Sequence, residues 1–298
     1  MPFNDWLLYK IARRFPNPRQ AVNDRIGAPL NTDEFQMGYA LLEQFNVKVR
    51  KGVQIPVAGK DVLEIGCGPG GISCFLAVAG ARSVVGIDLD TRGLEYARRF
   101  AKEVAAWFGD DAALRVDFQE MNAYELTFPP ESFDLVVADN AFEHFVEPAL
   151  VMRNAHRVLR PGGGILVPVF SSIYSKYGLH LKNGLKMPWA NLFFSEPTIL
   201  RALRRMAADD PFLFELYPGL KEAKSRVRDV RRYKDLNDIT FRKFKRMAGE
   251  EGFRVAWFRP LSTPAGELLR FVPGLKSTIL ADIFSQGASA YLVKEAKT

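Results

Sequence analysis

At 298 residues and 48% hydrophobic composition, the chain is long enough to bury a large core, and one sizeable domain with elaborations is the expectation. Two cysteines, Cys67 and Cys74, are too few for a disulfide framework and lack metal-ligand spacing, so both are expected to be reduced and structural. No apolar run reaches the roughly 18 residues of a membrane span, and residues 1–31 hold no signal-peptide core, so a soluble, cytoplasmic protein is expected. The net charge of +7 lies wholly within residues 221–246, which carry 11 basic and 4 acidic side chains.

Residues 1–60 are mostly helical in pattern, with Phe35, Met37, Leu41, Leu42, Phe45 and Val47 forming an amphipathic stretch before the Pro56 break. They are expected to cap the opening of the site. At residues 61–71, DVLEIGCGPGG, an apolar strand (Val62, Leu63, Ile65) runs into Gly66, Gly68 and Gly71. Glycines at this spacing allow a tight turn and close backbone approach to a ligand where a helix begins. A helix at 72–79 leads to a second strand, Val84, Val85 and Ile87, ending in Asp88. A carboxylate at such a tip can accept both hydroxyls of a ribose. A helix over 91–108 shows the stripe Leu94, Ala97, Ala101, Val104 and Phe108. A third strand covers 114–119, and a fourth with its tip lies in FDLVVADNAFEHF, 133–145. A helix at 148–159 then gives way to a Pro-Gly stop and a fifth strand in RVLRPGGGILV, 157–167. Near-continuous apolar strands of this kind indicate a parallel sheet covered on both faces. Residues 171–238 are aromatic and Pro-rich before becoming basic, and read as an insertion over the site. A helix at 240–248 and strands at 253–258 and 288–293 close the chain.

Glu64, two places before the first glycine, turns the loop into E-x-G-x-G-x-G. With Asp88, the Met121-Asn122-Ala123 step and the RVLRPGG block following in order, residues 61–167 resemble the class I S-adenosylmethionine-dependent methyltransferases of the type 11-like group. The resemblance implies a doubly wound α/β fold, a Rossmann-like, seven-stranded, mostly parallel sheet with a helical cap and insertion. Its divisions are 1–60 as N-terminal helical cap, 61–170 as cofactor-binding core, 171–238 as aromatic and basic insertion, and 239–298 as completion of the sheet. It implies S-adenosyl-L-methionine as cofactor, held by Glu64, Gly66, Cys67, Gly68, Gly70, Asp88, Leu89, Asn122, Ala123 and Asp139. Asn122 stands where the family usually has an acid against the adenine edge.

Methyl transfer from a sulfonium needs alignment more than acid–base chemistry, and a base matters only for acceptors such as hydroxyls. The candidate bases cluster after the fourth strand: Asp139, Glu143 and His144, of which His144 and Asp139 are taken as catalytic. His144 equally suits a packing role in a helix-starting loop, and His156, on a helix, is given no catalytic role. Tyr177, His180 and Trp189 of the insertion are taken to touch the acceptor. No metal is expected. The nitrogen-acceptor signature, Asp/Asn-Pro-Pro-aromatic, is absent, since Ala138, Asp139, Asn140 and Ala141 occupy its place. The expected acceptor is therefore an oxygen of a small or medium glycan, lipid-linked or secondary-metabolite molecule. Residues 221–246 read either as a solvated helix face or as a surface for an anionic substrate or membrane, with nucleic acid disfavoured for want of interleaved aromatics. Two other classes stay open: a catalytically silent methyltransferase-like binding module, opposed by the intact glycine loop, and a nicotinamide-dependent oxidoreductase, opposed by Glu64 and the RVLRPGG block.

Overall fold

A computed structural model of the chain describes residues 57–107, 115–176, 178–179, 185, 187–209, 236–263, 266 and 279–295. Seven strands, β1 (Asp61–Ile65), β2 (Ser83–Asp88), β3 (Val116–Glu120), β4 (Phe133–Val137), β5 (Leu159–Phe170), β6 (Phe253–Ser262) and β7 (Ser285–Lys294), form one sheet in the order β3-β2-β1-β4-β5-β7-β6. The first five run parallel, and β7 lies antiparallel between β5 and β6. The helices are α1 (Gly71–Val78), α2 (Thr91–Trp107), α3 (Pro148–Val158), α4 (Ala190–Phe193), α5 (Glu196–Asp209), α6 (Phe241–Glu250) and α7 (Ile279–Ile283).

The pleat divides the strand residues between two cores. Val62, Leu135, Val137 and Leu166 face one of them, with Leu76 of α1. Leu63, Val136, Ile165 and Val167 face the other, with Val151 and Ala155 of α3 and Phe244 of α6. Burial on both faces explains why these strands lack polar alternation. On α2, Leu94, Ala97, Phe100 and Val104 pack on Phe118 of β3. The expected stripe is thus centred on Phe100, with Ala101 half-buried and Phe108 outside the described residues.

The closing strands are longer than their sequence pattern suggests. β6 continues past Phe258 through Pro260, which an edge strand tolerates because one side of its backbone needs no ladder partner. β5 begins at Leu159, which the helical reading of 148–159 included. The described part of residues 171–238 builds its own apolar cluster, with Ile199, Leu203 and Met206 of α5 packed on Ile173 and Leu185. Positions 1–56 of the expected N-terminal cap (1–60) and 221–235 of the basic segment (221–246) lie outside the described residues. The rest of that segment enters α6, which buries Phe241 and Phe244 while Arg242, Lys243 and Arg246 face solvent. Among the described residues no helix is long and apolar enough to cross a membrane.

Candidate active site

The strand order reverses beside β1: β2 and β3 lie to one side of it and β4 to the other. A crevice therefore opens at the carboxyl ends of these strands, where open parallel sheets bind ligands. A cavity of about 470 Å³ occupies it, lined by the tips of β1 (Ile65, Gly66) and β2 (Ile87, Asp88, Leu89) and by residues 121–124 and 144–146. Every described lining residue lies between positions 65 and 146, so among the described residues the insertion contributes none.

The glycine loop forms because the chain must reverse at once. The N–H groups of Gly66 and Cys67 both donate to the Ile87 carbonyl, at 2.9 and 3.0 Å. Gly68 and Gly70 then adopt left-handed backbone, at φ of 49° and 78°. A side chain on Gly70 would meet Ala97 Cβ and the Phe118 ring at 2.7 Å, whereas one on Gly68 would project into open space. One glycine is demanded by packing, and the other has open space beside it.

Beneath the loop, Glu64 is 1% exposed and accepts a hydrogen bond from the Ser73 hydroxyl on α1. Burial pushes its carboxyl up to about 8, with the charges of Asp139 and Asp88 adding to the rise and Ser73 opposing it. Burial likewise raises both thiols, Cys74 to about 12 and Cys67 further, so neither is a ready thiolate. At the tip of β2, Asp88 accepts from Gly68 N at 2.8 Å and from Asp90 N at 3.0 Å, one bond to each carboxylate oxygen. Each oxygen keeps a further lone pair directed to other donors. Beside it Leu89 is 64% exposed, an apolar face at the mouth of the cavity.

The remaining walls are held mostly by groups that the sequence pattern did not single out. Asn122 Oδ1 accepts from Tyr124 N at 3.0 Å, which folds residues 121–124 into a compact turn. Asn154 of α3 donates through Nδ2 to the carbonyls of Ala123 and Tyr124, at 3.1 and 2.7 Å. Arg157, one turn further along, donates to the carbonyls of Leu126 and Phe128. The Tyr124 hydroxyl accepts from Val146 N at 2.7 Å and so joins the two loops that face each other across the cavity. Apart from the Asn122 turn, these partners lie 22 to 31 positions away in sequence and are backbone atoms, so no side-chain spacing announces them. Of these residues the sequence pattern marked Asn122, for the adenine edge, and Arg157 of the RVLRPGG block, as a helix end.

Of the expected site residues, Gly66, Asp88, Leu89, Asn122, Ala123 and His144 meet around one cavity. Glu64, in β1, and Cys67, Gly68 and Gly70, in the glycine loop, are not among the lining residues. Asp139 follows β4, half-buried, close enough to bear on Glu64 but not among the lining residues. Trp189 is placed elsewhere: its indole N–H donates to the Ile283 carbonyl at 2.6 Å and ties the insertion to α7. Tyr177 and His180 lie outside the described residues. His156 packs edge-on against Phe253, with ring centroids 5.2 Å apart, as a helix residue.

Residues 63–167 match the family model described as a methyltransferase domain. Over 120 residues the chain is 38% identical to a ubiquinone biosynthesis O-methyltransferase of Ralstonia nicotianae, covering 40% of this chain and 45% of that protein. Over 132 residues it is 36% identical to a demethylmenaquinone methyltransferase of Clavibacter sepedonicus, covering 43% and 50%. The chain thus spans half or less of the length of these curated relatives. Among solved structures, the Haemonchus contortus phosphoethanolamine N-methyltransferase 2 in complex with S-adenosyl-L-methionine superposes with a TM-score of 0.53 at 18% identity, covering 86% of this chain and 53% of the other. At that identity the likeness is one of fold.

Proposed function

We propose that this chain, whose residues 63–167 match a methyltransferase domain, is a class I S-adenosylmethionine-dependent methyltransferase that binds S-adenosyl-L-methionine in the crevice and transfers its methyl group to an oxygen of a small or medium acceptor. The observation that carries the reading is the convergence of Gly66, Asp88, Asn122 and His144 on one cavity at the switch point of the sheet. The residues suit the cofactor. The open space beside Gly68 admits a ligand against the loop backbone, and the Asp88 carboxylate has lone pairs left for ribose hydroxyls. Leu89 offers an apolar face to a purine, and the Asn122 carbonyl, with one lone pair used by Tyr124, has a second for an exocyclic amine.

When bound, the cofactor supplies an electrophilic methyl group on a sulfonium. The chain then has to hold the acceptor in line and keep bulk water out, and alignment of this kind supplies roughly 7 to 11 kcal/mol of a barrier. His144, on the cavity wall, is the group placed to take a proton from an acceptor hydroxyl, a contribution of about 100- to 10,000-fold. Asp139 acts at a distance, through its charge on Glu64.

Curated relatives named for ubiquinone biosynthesis O-methylation support, within the glycan, lipid-linked and secondary-metabolite acceptors, an aromatic hydroxyl on an apolar body. A cytoplasmic protein visiting an anionic membrane surface through the basic residues of 221–246 fits such an acceptor, and Arg242, Lys243 and Arg246 are exposed for it. Titration calorimetry with S-adenosylhomocysteine and with NAD tests the cofactor. Binding of the first and not the second is expected, and the reverse overturns the reading. Transfer of labelled methyl to a catechol-type quinol, absent from His144→Ala, tests the acceptor.

A further inference from the structure

The insertion leaves the core at Ser171 and rejoins it at Asn237, and both points are bonded to the same short turn, residues 142–145 after β4. At the outgoing end, Ser171 N donates to Glu143 Oε1 at 2.9 Å, and Glu143 is buried at 1% exposure. At the returning end, Asn237 N donates to the Glu143 carbonyl at 2.8 Å, while its side-chain Nδ2 donates to the carbonyls of Phe142 and Phe145, each at 2.7 Å. Asn237 Oδ1 is used as well, accepting from Ile239 N at 2.9 Å. Behind these contacts the two feet are joined to each other: Ile173 N donates to the Ile239 carbonyl at 3.0 Å. Asp282 of α7 accepts from both the Ser172 hydroxyl and Phe241 N. Beneath the turn, Phe142 packs edge-on against Phe244 of α6, with ring centroids 5.3 Å apart.

The turn supplies His144 and Phe145 to the cavity wall. Within the turn, His144 N donates to the Ala141 carbonyl at 2.9 Å. We infer that Asn237 is a positioning residue that, with Glu143, fastens the neck of the 171–238 insertion to the turn carrying His144, so that the wall of the site and the insertion move as one unit. A short turn with three carbonyls aimed at one amide residue has no other reason to be satisfied from ninety positions away, and a neck built on the site couples whatever the insertion binds to the placement of His144. The inference rests on the proposed function only for the ligand used in one arm of its test.

That test compares Asn237→Ala and Asn237→Asp with the unaltered full-length protein. The aspartate keeps the acceptor for Ile239 N and removes both donors to the turn, so it separates the turn contacts from the local bend. Native-state hydrogen exchange is followed at the amides of His144 and Val146 and, for comparison, in β1 and β4. S-adenosylhomocysteine affinity is measured in parallel. Loss of two neutral hydrogen bonds is expected to speed exchange in the turn roughly tenfold or more in both variants while β1 and β4 stay unchanged, and to weaken S-adenosylhomocysteine by a similar factor. Turn exchange at the original rate in Asn237→Asp overturns the inference, and so does an equal rise throughout the sheet, which marks general destabilisation. If the unaltered protein does not bind S-adenosylhomocysteine, the proposed function fails, and the exchange pattern still decides the role of Asn237.

Discussion

The hydroxyl of Ser73 on α1 donates to the buried carboxyl of Glu64 on β1, linking the strand before the glycine loop to the helix after it. Glu64 carries the raised proton affinity noted above, up to about 8 from an ordinary 4.5, through burial first and the charges of Asp139 and Asp88 second. The native state therefore keeps a proton that the unfolded chain releases above about 4.5. The stabilisation from this group is complete below that pH and is lost as pH rises through about 8. Glu64→Gln keeps an acceptor for Ser73 and carries no charge, so it should flatten the fall in stability and exceed the unaltered protein at pH 9 by a few kcal/mol. Urea denaturation at pH 5, 7 and 9 measures this, and parallel curves for the two proteins would show that Glu64 does not titrate in that window.

How much of this was legible beforehand depends on where the partner of each residue lies. The β1 loop reads directly, because its glycines and apolar strand are contiguous and each has a local backbone reason. The alternation of two cores is hidden in β1 and β4, since burial on both faces removes the polar period, yet that same continuity announces a parallel sheet. Trp189, in a Pro-Trp pair within an aromatic stretch, reads as pocket wall, and in the fold its half-buried indole N–H takes the Ile283 carbonyl as acceptor, a bond that no sequence spacing announces. Asn154, Tyr124 and Asn237 were invisible for a similar reason. Polar side chains that hold distant carbonyls look, in sequence, like any solvent-facing residue, and only the tertiary fold brings their partners to them.

Two of the three left-handed glycines of the loop, Gly68 and Gly70, should separate stability from ligand binding. In Gly70→Ala the new methyl lands 2.7 Å from Ala97 and Phe118 on an already unfavourable backbone, and the summed strain and overpacking should cost about 2 to 6 kcal/mol. Gly68→Ala meets no atom of the chain within 4 Å and should lose only the backbone share, about 1 to 3 kcal/mol. Its methyl nonetheless enters the space proposed for the cofactor. The expected pattern is a large fall in denaturation midpoint for the first variant, and for the second a modest fall with strongly reduced S-adenosylhomocysteine binding. Undiminished binding by Gly68→Ala would mean that the cradle faces solvent and holds nothing.

Asp88 joins the loop to the ligand side of the site, and its replacement tests both at once. One carboxylate oxygen holds Gly68 N at 2.8 Å and the other holds Asp90 N at 3.0 Å, so Asp88→Ala removes the anchor of the glycine loop together with the acceptor proposed for ribose hydroxyls. Charge-assisted bonds of this type contribute about 1.5 to 3 kcal/mol each, and losing even one to the ligand should weaken S-adenosylhomocysteine by roughly 10- to 150-fold. Asp88→Asn retains a carbonyl oxygen for one of the two backbone donors and presents an amide to the other. Repulsion between that NH2 group and the facing N–H should leave it closer to alanine than to aspartate. Loss of the two backbone bonds should also lower the thermal midpoint, by about 2 to 4 °C for each kcal/mol lost. Calorimetric affinity and melting temperature, measured on the same samples, resolve the two effects. Affinity equal to that of the unaltered protein in a folded Asp88→Ala would place the ribose away from β2 and remove the carboxylate from the site.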